Sequence, residues 1–381
     1  MVYSYRLYCF SDRRSMTKPA TRIDSLDGLR TVSILLVLIS HSINAFGHGD
    51  PLVLGNLGVR VFFVISGFLI TGLLLQELNA SDTIDLGKFY FRRTLRIFPP
   101  FYFFLLLMFV FAICGWITLS LKSFLPALTY TSDYITTGDR QLAHTWSLSI
   151  EEQFYLLWPG ILFLLGRKRA FYFICLVIVL SPLIRIATYH LAHPAEPVWL
   201  NHGFQGNMDA LATGCVLAFV RTRLQDSAAY RRLRSSRVVF AFPAIILLAN
   251  VQGGHPHLFD GVCVSVMNIL IAIMIDWAIT NHTGVVGRVL NSRPFVAVGV
   301  MSYSIYLWQQ PFLVRPANSI PQFLLRLGAI LLISSFSYLV VERLSLELRK
   351  KLQDKWFSRR PGRIPASTSI LKVREELFAA K

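Results

Sequence analysis

Long apolar runs recur along the whole chain, and they restrict the fold more than any other feature of the sequence. Of the 381 residues, 54% are hydrophobic and only 15% are charged, and no polar block is large enough to hold a soluble core. A helix of about 20 apolar residues crosses the hydrocarbon of a bilayer. The sequence therefore predicts an all-α fold, a polytopic membrane helix bundle with about ten transmembrane helices. The predicted spans are 29–46, 57–76, 97–117, 150–165, 171–191, 205–220, 238–251, 262–280, 296–314 and 323–341.

The charged residues predict how this bundle is oriented. The net charge is +17, from 38 Lys and Arg against 21 Asp and Glu. Most basic residues lie in short segments between spans. This distribution indicates that they orient the protein in the membrane and contact anionic lipid, and it argues against nucleic-acid binding. Basic and weakly charged connections alternate, so the positive-inside rule predicts that both termini are cytoplasmic. We expect a cytoplasmic N-terminal segment (1–22), a transmembrane domain (23–345) and a basic cytoplasmic tail (346–381).

Two ionisable residues, Arg30 and His41, interrupt the first apolar run. Eleven positions are about three helical turns, so both side chains fall on nearly the same face, roughly 16 Å apart along the axis. An arginine at the centre of a span costs about 2.5–3.5 kcal/mol, so an ionisable group within the membrane indicates function by default. Histidine adds a group that exchanges a proton near neutral pH. The alternative is an arginine that snorkels at the helix end and a histidine bonded to a neighbouring helix.

The predicted topology assigns a depth to each polar residue within the spans. Arg30 and the arginines of segment 91–102 are expected on the inner side, where they could bind a phosphate-bearing cytoplasmic ligand or lipid headgroups. The sequence thus predicts two polar zones, one at each end of a channel through the bundle. The arginines of that inner segment are Arg92, Arg93 and Arg96, and the outer zone comprises His41, Arg60, Glu151, Glu152, Arg185 and Asp209.

Within the outer zone, spacing suggests separate roles for the acidic residues. Ser149 and Glu152 have the spacing of a capping box, which would place Glu152 at a helix start and leave Glu151 as the freer carboxylate. A carboxylate near an imidazole could fix its tautomer. Asp209 could pair with Arg185 as a purely structural ion pair. The outer histidines share no ligand spacing, so we expect no metal site.

Four stretches together resemble the membrane-bound acyltransferase-3 family, whose members O-acylate surface glycans and related acceptors. The resemblance runs from about residue 22 to residue 342. Two positions depart from the family pattern, because Asn207 stands where an arginine is frequent and Gln309 stands where a histidine is frequent. The family also permits residues other than arginine at the position of Arg60. The four stretches are Arg30-x10-His41, residues 58–70, residues 92–102 and residues 144–159, the last with Glu151 at the family's acidic position.

The resemblance implies transfer of an acyl group, in our expectation acetyl, from cytoplasmic acyl-CoA to a hydroxyl of an extracytoplasmic carbohydrate or glycolipid. His41 would act as general base or as the site of a transient acyl-His intermediate. Glu151 would orient the imidazole or balance its positive charge. No permanently bound cofactor is expected, and the protein would lie in a bacterial-type cytoplasmic (inner) membrane. The predicted site comprises catalytic His41, Glu151 and Arg30, donor-binding Arg92, Arg93 and Arg96, and channel residues Arg60, Ser66, Tyr102, Trp146, Arg185 and Asp209.

Other functions stay open at the level of sequence. A transporter or flippase for a glycan or lipid precursor would also place His, Arg and Glu within a bundle. Such proteins often carry inverted repeats, which this sequence does not show, and they need no acyl-CoA. A longer or charged acyl group such as succinyl is an alternative to acetyl. The motifs identify neither the acceptor nor the oligomeric state.

Overall fold

The computed structural model describes residues 23–50, 52–135, 139–191, 203–250 and 258–357. The predicted segment 1–22 and residues 358–381 of the predicted tail lie outside these ranges. Within them the regular structure is helical, without β-strands, as predicted. The helices are α1 (Asp24–Ala45), α2 (Leu54–Ser81), α3 (Leu86–Ile113), α4 (Leu121–Leu128), α5 (Thr145–Leu191), α6 (Phe204–Asp226), α7 (Ala228–Ser235), α8 (Phe242–Asn250), α9 (Leu258–Thr280), α10 (Val285–Leu290), α11 (Arg293–Val300), α12 (Ser302–Leu313), α13 (Ile320–Phe336) and α14 (Arg343–Phe357).

Several of these helices are suited to crossing a membrane. In the described ranges six are long and apolar enough, and there are seven if the bent pair Ala228–Ser235 and Arg237–Asn250 forms one span. Helices α6 and α12 overlap predicted spans but are not among the six. Helix α6 carries polar residues such as Asn207 and Asp209 in its first turns, and α12 has only 12 residues. The chain is therefore a multi-pass membrane protein.

A glycine interrupts the longest helix, α5. Helix α5 covers 47 residues, but Gly166 has a φ of 67° and a ψ of 171°, so the backbone is not helical there. An unbroken helix of this length would extend about 70 Å, more than twice the hydrocarbon thickness of about 30 Å. Residues 145–165 and 167–191 are therefore separate helical segments, in agreement with the two spans predicted there.

Glycines bring α2 and α6 into close contact at the centre of the bundle. A Cβ on Gly67 would lie 2.0 Å from the carbonyl oxygen of Leu211, and one on Gly214 would lie 2.1 Å from that of Val64. Small residues of this kind let membrane helices approach backbone to backbone. Helix α2 also packs along α1, so it lies between α1 and α6 and contacts both of them.

Two irregular helical segments border the same core. Helix α3 contains Pro99 and Pro100, which remove backbone donors, just after its arginine-rich first half. The segment Ser337–Glu342, between α13 and α14, is π-helical, a geometry frequent at functional sites. Glu342, at its end, is only 3% exposed.

The start of α5 differs from the prediction. The helix begins at Thr145, and Ser149 donates a hydrogen bond to the Thr145 carbonyl oxygen at 3.1 Å. Ser149 therefore lies inside the helix and cannot cap it, so the predicted capping box is wrong. Glu151 and Glu152 consequently lie in the second turn, deeper in the bundle than the sequence suggested.

Candidate active site

A cavity of about 780 Å³, including its open mouth, lies among α1, α2, α3, α5 and the α11–α12 region. One part of its wall is aromatic, with Phe62 and Phe63 from α2 and tyrosines from α5 and α12. Five of the predicted site residues line it, although they come from four helices. These five are Arg30, Ser66, Arg93, Arg96 and Glu151.

The arginines gather at one side of this cavity. Arg93 and Arg96 are three positions apart on α3 and therefore share a face. The guanidinium carbon of Arg93 lies 3.5 Å from the centroid of the Tyr155 ring, a cation–π contact. Arg30 lies 3.7 Å from Asp27, one turn earlier on α1. Arg92 instead pairs with Glu77 at 3.5 Å, with 35% of its side chain exposed, and does not line the cavity.

Glu151 lies with the arginines, contrary to its predicted place beside His41. Its Oε1 accepts a hydrogen bond of 2.8 Å from Ser66 Oγ, and it is within electrostatic range of Arg93 and Arg30. The early start of α5 explains the difference, because it places Glu151 in the second turn of the helix. Glu152 lines the cavity as well, so the structure joins two members of the predicted outer zone to the arginines of the predicted inner zone.

His41 occupies a separate position next to the cavity. Its Nδ1 is hydrogen bonded to Gln309 Oε1 at 2.5 Å. The cavity is bounded on this side by Tyr306 and Ser147, whose hydroxyl groups are 2.5 Å apart and each 3.1 Å from the His144 carbonyl oxygen. Gln309 follows Tyr306 by three residues on α12, about one helical turn. His41 therefore contacts α12 about one turn along the helix from Tyr306, and it does not line the cavity itself.

A second polar cluster joins α2, α5, α6 and α9. Arg185 and Asp209 form an ion pair of 2.9 Å, the pairing that the sequence allowed. Ser265 donates to Asp209 Oδ2 at 2.9 Å, and Arg60 Nη2 donates to Asn207 Oδ1 at 3.3 Å. Arg60 thus brings a guanidinium group from α2 to the position where the resembled family often has an arginine on α6. These predicted channel residues do not line the cavity.

The two remaining predicted channel residues lie at the edge of the site. Trp146 packs edge-on against Phe63, with ring centroids 6.2 Å apart, behind the cavity wall. Tyr102 donates a hydrogen bond of 3.3 Å to the Leu128 carbonyl oxygen and is 36% exposed. Neither side chain lines the cavity.

Sequence reasoning missed two residues that the packing brings to the site. Gln309 was noted only as a departure from the family, and its contact with His41 spans 268 positions of sequence. Glu342 follows the last predicted span directly, and sequence reasoning assigned it no role in the site. Its Oε2 accepts a hydrogen bond of 3.2 Å from Ser304, and it lies within electrostatic range of Arg96 and Arg30. The i,i+3 spacing of Tyr306 and Gln309 puts both residues on one face of the helix, so the sequence could have indicated that they lie near the same site.

Comparisons with known proteins agree with this architecture. Peptidoglycan O-acetyltransferase OatA of Listeria monocytogenes is 29% identical over 352 residues, which cover 84% of this chain and 55% of the relative. O-acetyltransferase OatA of Staphylococcus aureus (strain NCTC 8325) is 30% identical over 319 residues, covering 77% of this chain and 51% of the relative. The chain spans about half the length of these relatives. No solved structure gives a significant match.

The family assignment rests on a match over most of the chain. The model of the family described as the acyltransferase domain matches residues 23–341, which include all the residues of the cavity and His41. The same region carries the four motifs from which the family was predicted. The chain belongs to the acyltransferase-3 family.

Proposed function

We propose that the protein is a membrane O-acetyltransferase that moves an acetyl group from cytoplasmic acyl-CoA to a hydroxyl of a cell-envelope carbohydrate outside the membrane. The observation that carries the proposal is a cavity lined by three arginines, beside a histidine that is hydrogen bonded to Gln309, about one turn along α12 from the cavity residue Tyr306. The names of the relatives, which include peptidoglycan O-acetyltransferase, support cell-wall polysaccharide as the acceptor class.

The arginines would bind the phosphate groups of the donor. Arginine forks suit phosphate oxygens, and charge-assisted bonds of this kind are about twice as strong as neutral ones. Arg93 lines the cavity, and its guanidinium group packs over the ring of Tyr155, which lines it too. The aromatic wall, with Tyr155 and Tyr303, would contact the less polar arm of the donor.

This route requires a defined topology, which forms part of the proposal. About ten spans, with both termini in the cytoplasm of a cytoplasmic-membrane protein, would put the arginines at the inner face and His41 toward the outer face. The basic residues Arg167, Lys168 and Arg169, directly after the break at Gly166, support an inner position for that connection. The domain division at residues 22 and 345 belongs to the same proposal.

His41 would then carry out the proton transfer. One nitrogen of the neutral imidazole takes the proton of the acceptor hydroxyl, and the acceptor oxygen forms a bond to the thioester carbonyl carbon. The bond from that carbon to sulfur breaks, and the thiolate leaves and takes up a proton. General-base assistance of this kind contributes about 10²–10⁴-fold. In the alternative, the imidazole itself forms the bond to carbon first and passes the acetyl group on.

The test is His41→Ala, with mass spectrometry of cell-wall polysaccharide from cells that contain the variant at wild-type level. We expect loss of O-acetyl groups, because the variant lacks the imidazole that would take the proton of the acceptor hydroxyl. The matched control is His282→Ala, at an exposed histidine on the connection between α9 and α10, which should leave acetylation unchanged. Full acetylation with His41→Ala would remove this residue from the chemistry. If the purified wild type instead moves a glycan or lipid precursor across a membrane without any acyl-CoA, a transporter is favoured.

A further inference from the structure

We propose that Gln309 is the positioning residue of His41: it holds the imidazole as the Nδ1–H tautomer and leaves Nε2 as the nitrogen that accepts a proton. This inference rests on the proposed function for its chemistry. The hydrogen bonds from which it is drawn are properties of the protein alone.

The first step is the orientation of the Gln309 amide. Gln309 is completely buried, and its Nε2 lies 3.4 Å from the carbonyl oxygen of Tyr306. A carbonyl oxygen only accepts hydrogen bonds, so the amide nitrogen must face Tyr306. The amide oxygen Oε1 consequently faces His41, at 2.5 Å from Nδ1. The contact with Tyr306 thus sets which end of the amide is presented to the imidazole.

The second step is the position of the proton on His41. An amide oxygen has no hydrogen to donate, so the group opposite it must supply the proton. Nδ1 of His41 is therefore the N–H nitrogen, and in the neutral ring the lone pair lies on Nε2. The bond from Nδ1–H to Gln309 also stops the ring from rotating, which aims Nε2 along one direction.

The third step concerns the charges around the imidazole. The titratable or charged groups within electrostatic range of His41 are Asp50, Arg140 and His144, and the described structure gives none of them a hydrogen bond to its ring. Gln309, from α12, is the hydrogen-bond partner, and it is neutral. It fixes the tautomer as a carboxylate would, but it adds no negative charge to stabilise the imidazolium formed when Nε2 takes a proton.

Two substitutions separate the role of Gln309 as a hydrogen-bond acceptor from the effect of its lack of charge. In Gln309→Leu the acceptor is lost, so the imidazole can rotate and change tautomer. In Gln309→Glu an acceptor remains and a negative charge is added. The neighbouring Gln310→Leu is the control, since Gln310 donates to the Arg140 carbonyl oxygen and not to His41.

The direct measurement is the ¹⁵N NMR spectrum of histidine-labelled protein in lipid nanodiscs above the pH at which His41 loses its charge, with the His41 signals assigned from the difference to His41→Gln. We expect a protonated Nδ1 and an unprotonated Nε2 in the wild type, and a mixture of tautomers or Nε2–H in Gln309→Leu. A wild-type His41 that carries its proton on Nε2 overturns the proposal. This readout needs no activity, so it distinguishes failure of the inference from failure of the proposed function.

Kinetics provide the second measurement. We expect Gln309→Leu to lower kcat about 10²-fold, with KM for acetyl-CoA changed less than about threefold, because a wrong tautomer has cost up to about 10⁴-fold in a serine protease. Gln309→Glu should retain more activity than Gln309→Leu, and the acidic limb of its pH–rate profile should move to higher pH. Equal kcat in Gln309→Leu and the Gln310→Leu control, or an unmoved limb in Gln309→Glu, contradicts the positioning role. Because Gln309→Glu keeps the size and the acceptor, it tests the proposal even if Gln309→Leu does not fold.

Discussion

At the scale of single residues, the cavity combines positive and negative side chains in nearly equal number. Arg30, Arg93 and Arg96 face Glu151 and Glu152, and Glu342 lies within electrostatic range of two of these arginines. Buried charges are tolerated when they are paired and hydrogen bonded. An anionic ligand must therefore compete with glutamates for the arginines, which favours ligands with several phosphate groups over single anions.

Arg93→Ala should raise KM for acetyl-CoA by about 10- to 100-fold, because a hydrogen bond to a charged group contributes about 1.5–3 kcal/mol. Michaelis–Menten kinetics of purified protein in nanodiscs measure this. The matched variant is Arg92→Ala on the same helix, where the side chain pairs with Glu77 outside the cavity, and its KM should change less than about twofold. Equal effects of the two substitutions would mean that the arginines act only through membrane orientation.

Local pattern predicted part of this site, and long-range packing determined the rest. The spacing of Arg93 and Arg96 and their position before a span were enough to predict a shared inner face. Arg92 was predicted with them, but the direction of its side chain depends on Glu77 of another helix. Gln309 could not be assigned to His41, because their contact joins the first and the twelfth helix and leaves no local periodicity to detect.

At the scale of helices, the tight contact of α2 with α6 should be the least tolerant of added volume. We expect Gly67→Ala to lower the folded fraction and the melting temperature, since its methyl group would lie 2.0 Å from a backbone oxygen that cannot move away. Gly72→Ala, five residues later on α2, meets no atom within 4 Å and should be neutral or stabilising, as alanine is favoured in helices by about 1 kcal/mol. Fluorescence-detected size-exclusion after heating compares the two; equal melting curves would contradict the packing argument.

Helix type followed from composition and run length, whereas the boundaries required the packing, and six to seven described helices meet the criteria for a span where about ten spans were predicted. The first three predicted spans overlap α1, α2 and α3 because their apolar runs are long. The start of α5 was predicted too late, since its first turn is rich in polar residues that pack against neighbours. The polar residues of α6 likewise reflect buried pairing, as Asp209 is fully buried against Arg185.

At the scale of the whole molecule, the proposed topology can be tested independently of any chemistry. In a background without the native cysteines, we expect Arg140→Cys to react with a membrane-impermeant thiol reagent in intact cells. Lys168→Cys should react only after the membrane is opened, because it follows the break at Gly166 on the inner side. Both positions are exposed, so their reactivity should differ only because they lie on opposite sides of the membrane. The reverse labelling pattern would leave His41 and the arginines on the wrong sides for the proposed transfer.

The break at Gly166 also has a mechanical consequence. One helical segment carries Glu151 and its bond to Ser66, the other carries Arg185 and its bond to Asp209, and a single residue joins them. Gly166 has a positive φ that residues with a side chain rarely adopt, so this one position sets the angle between the two segments. The same angle fixes where the Glu151 and Arg185 contacts stand relative to each other.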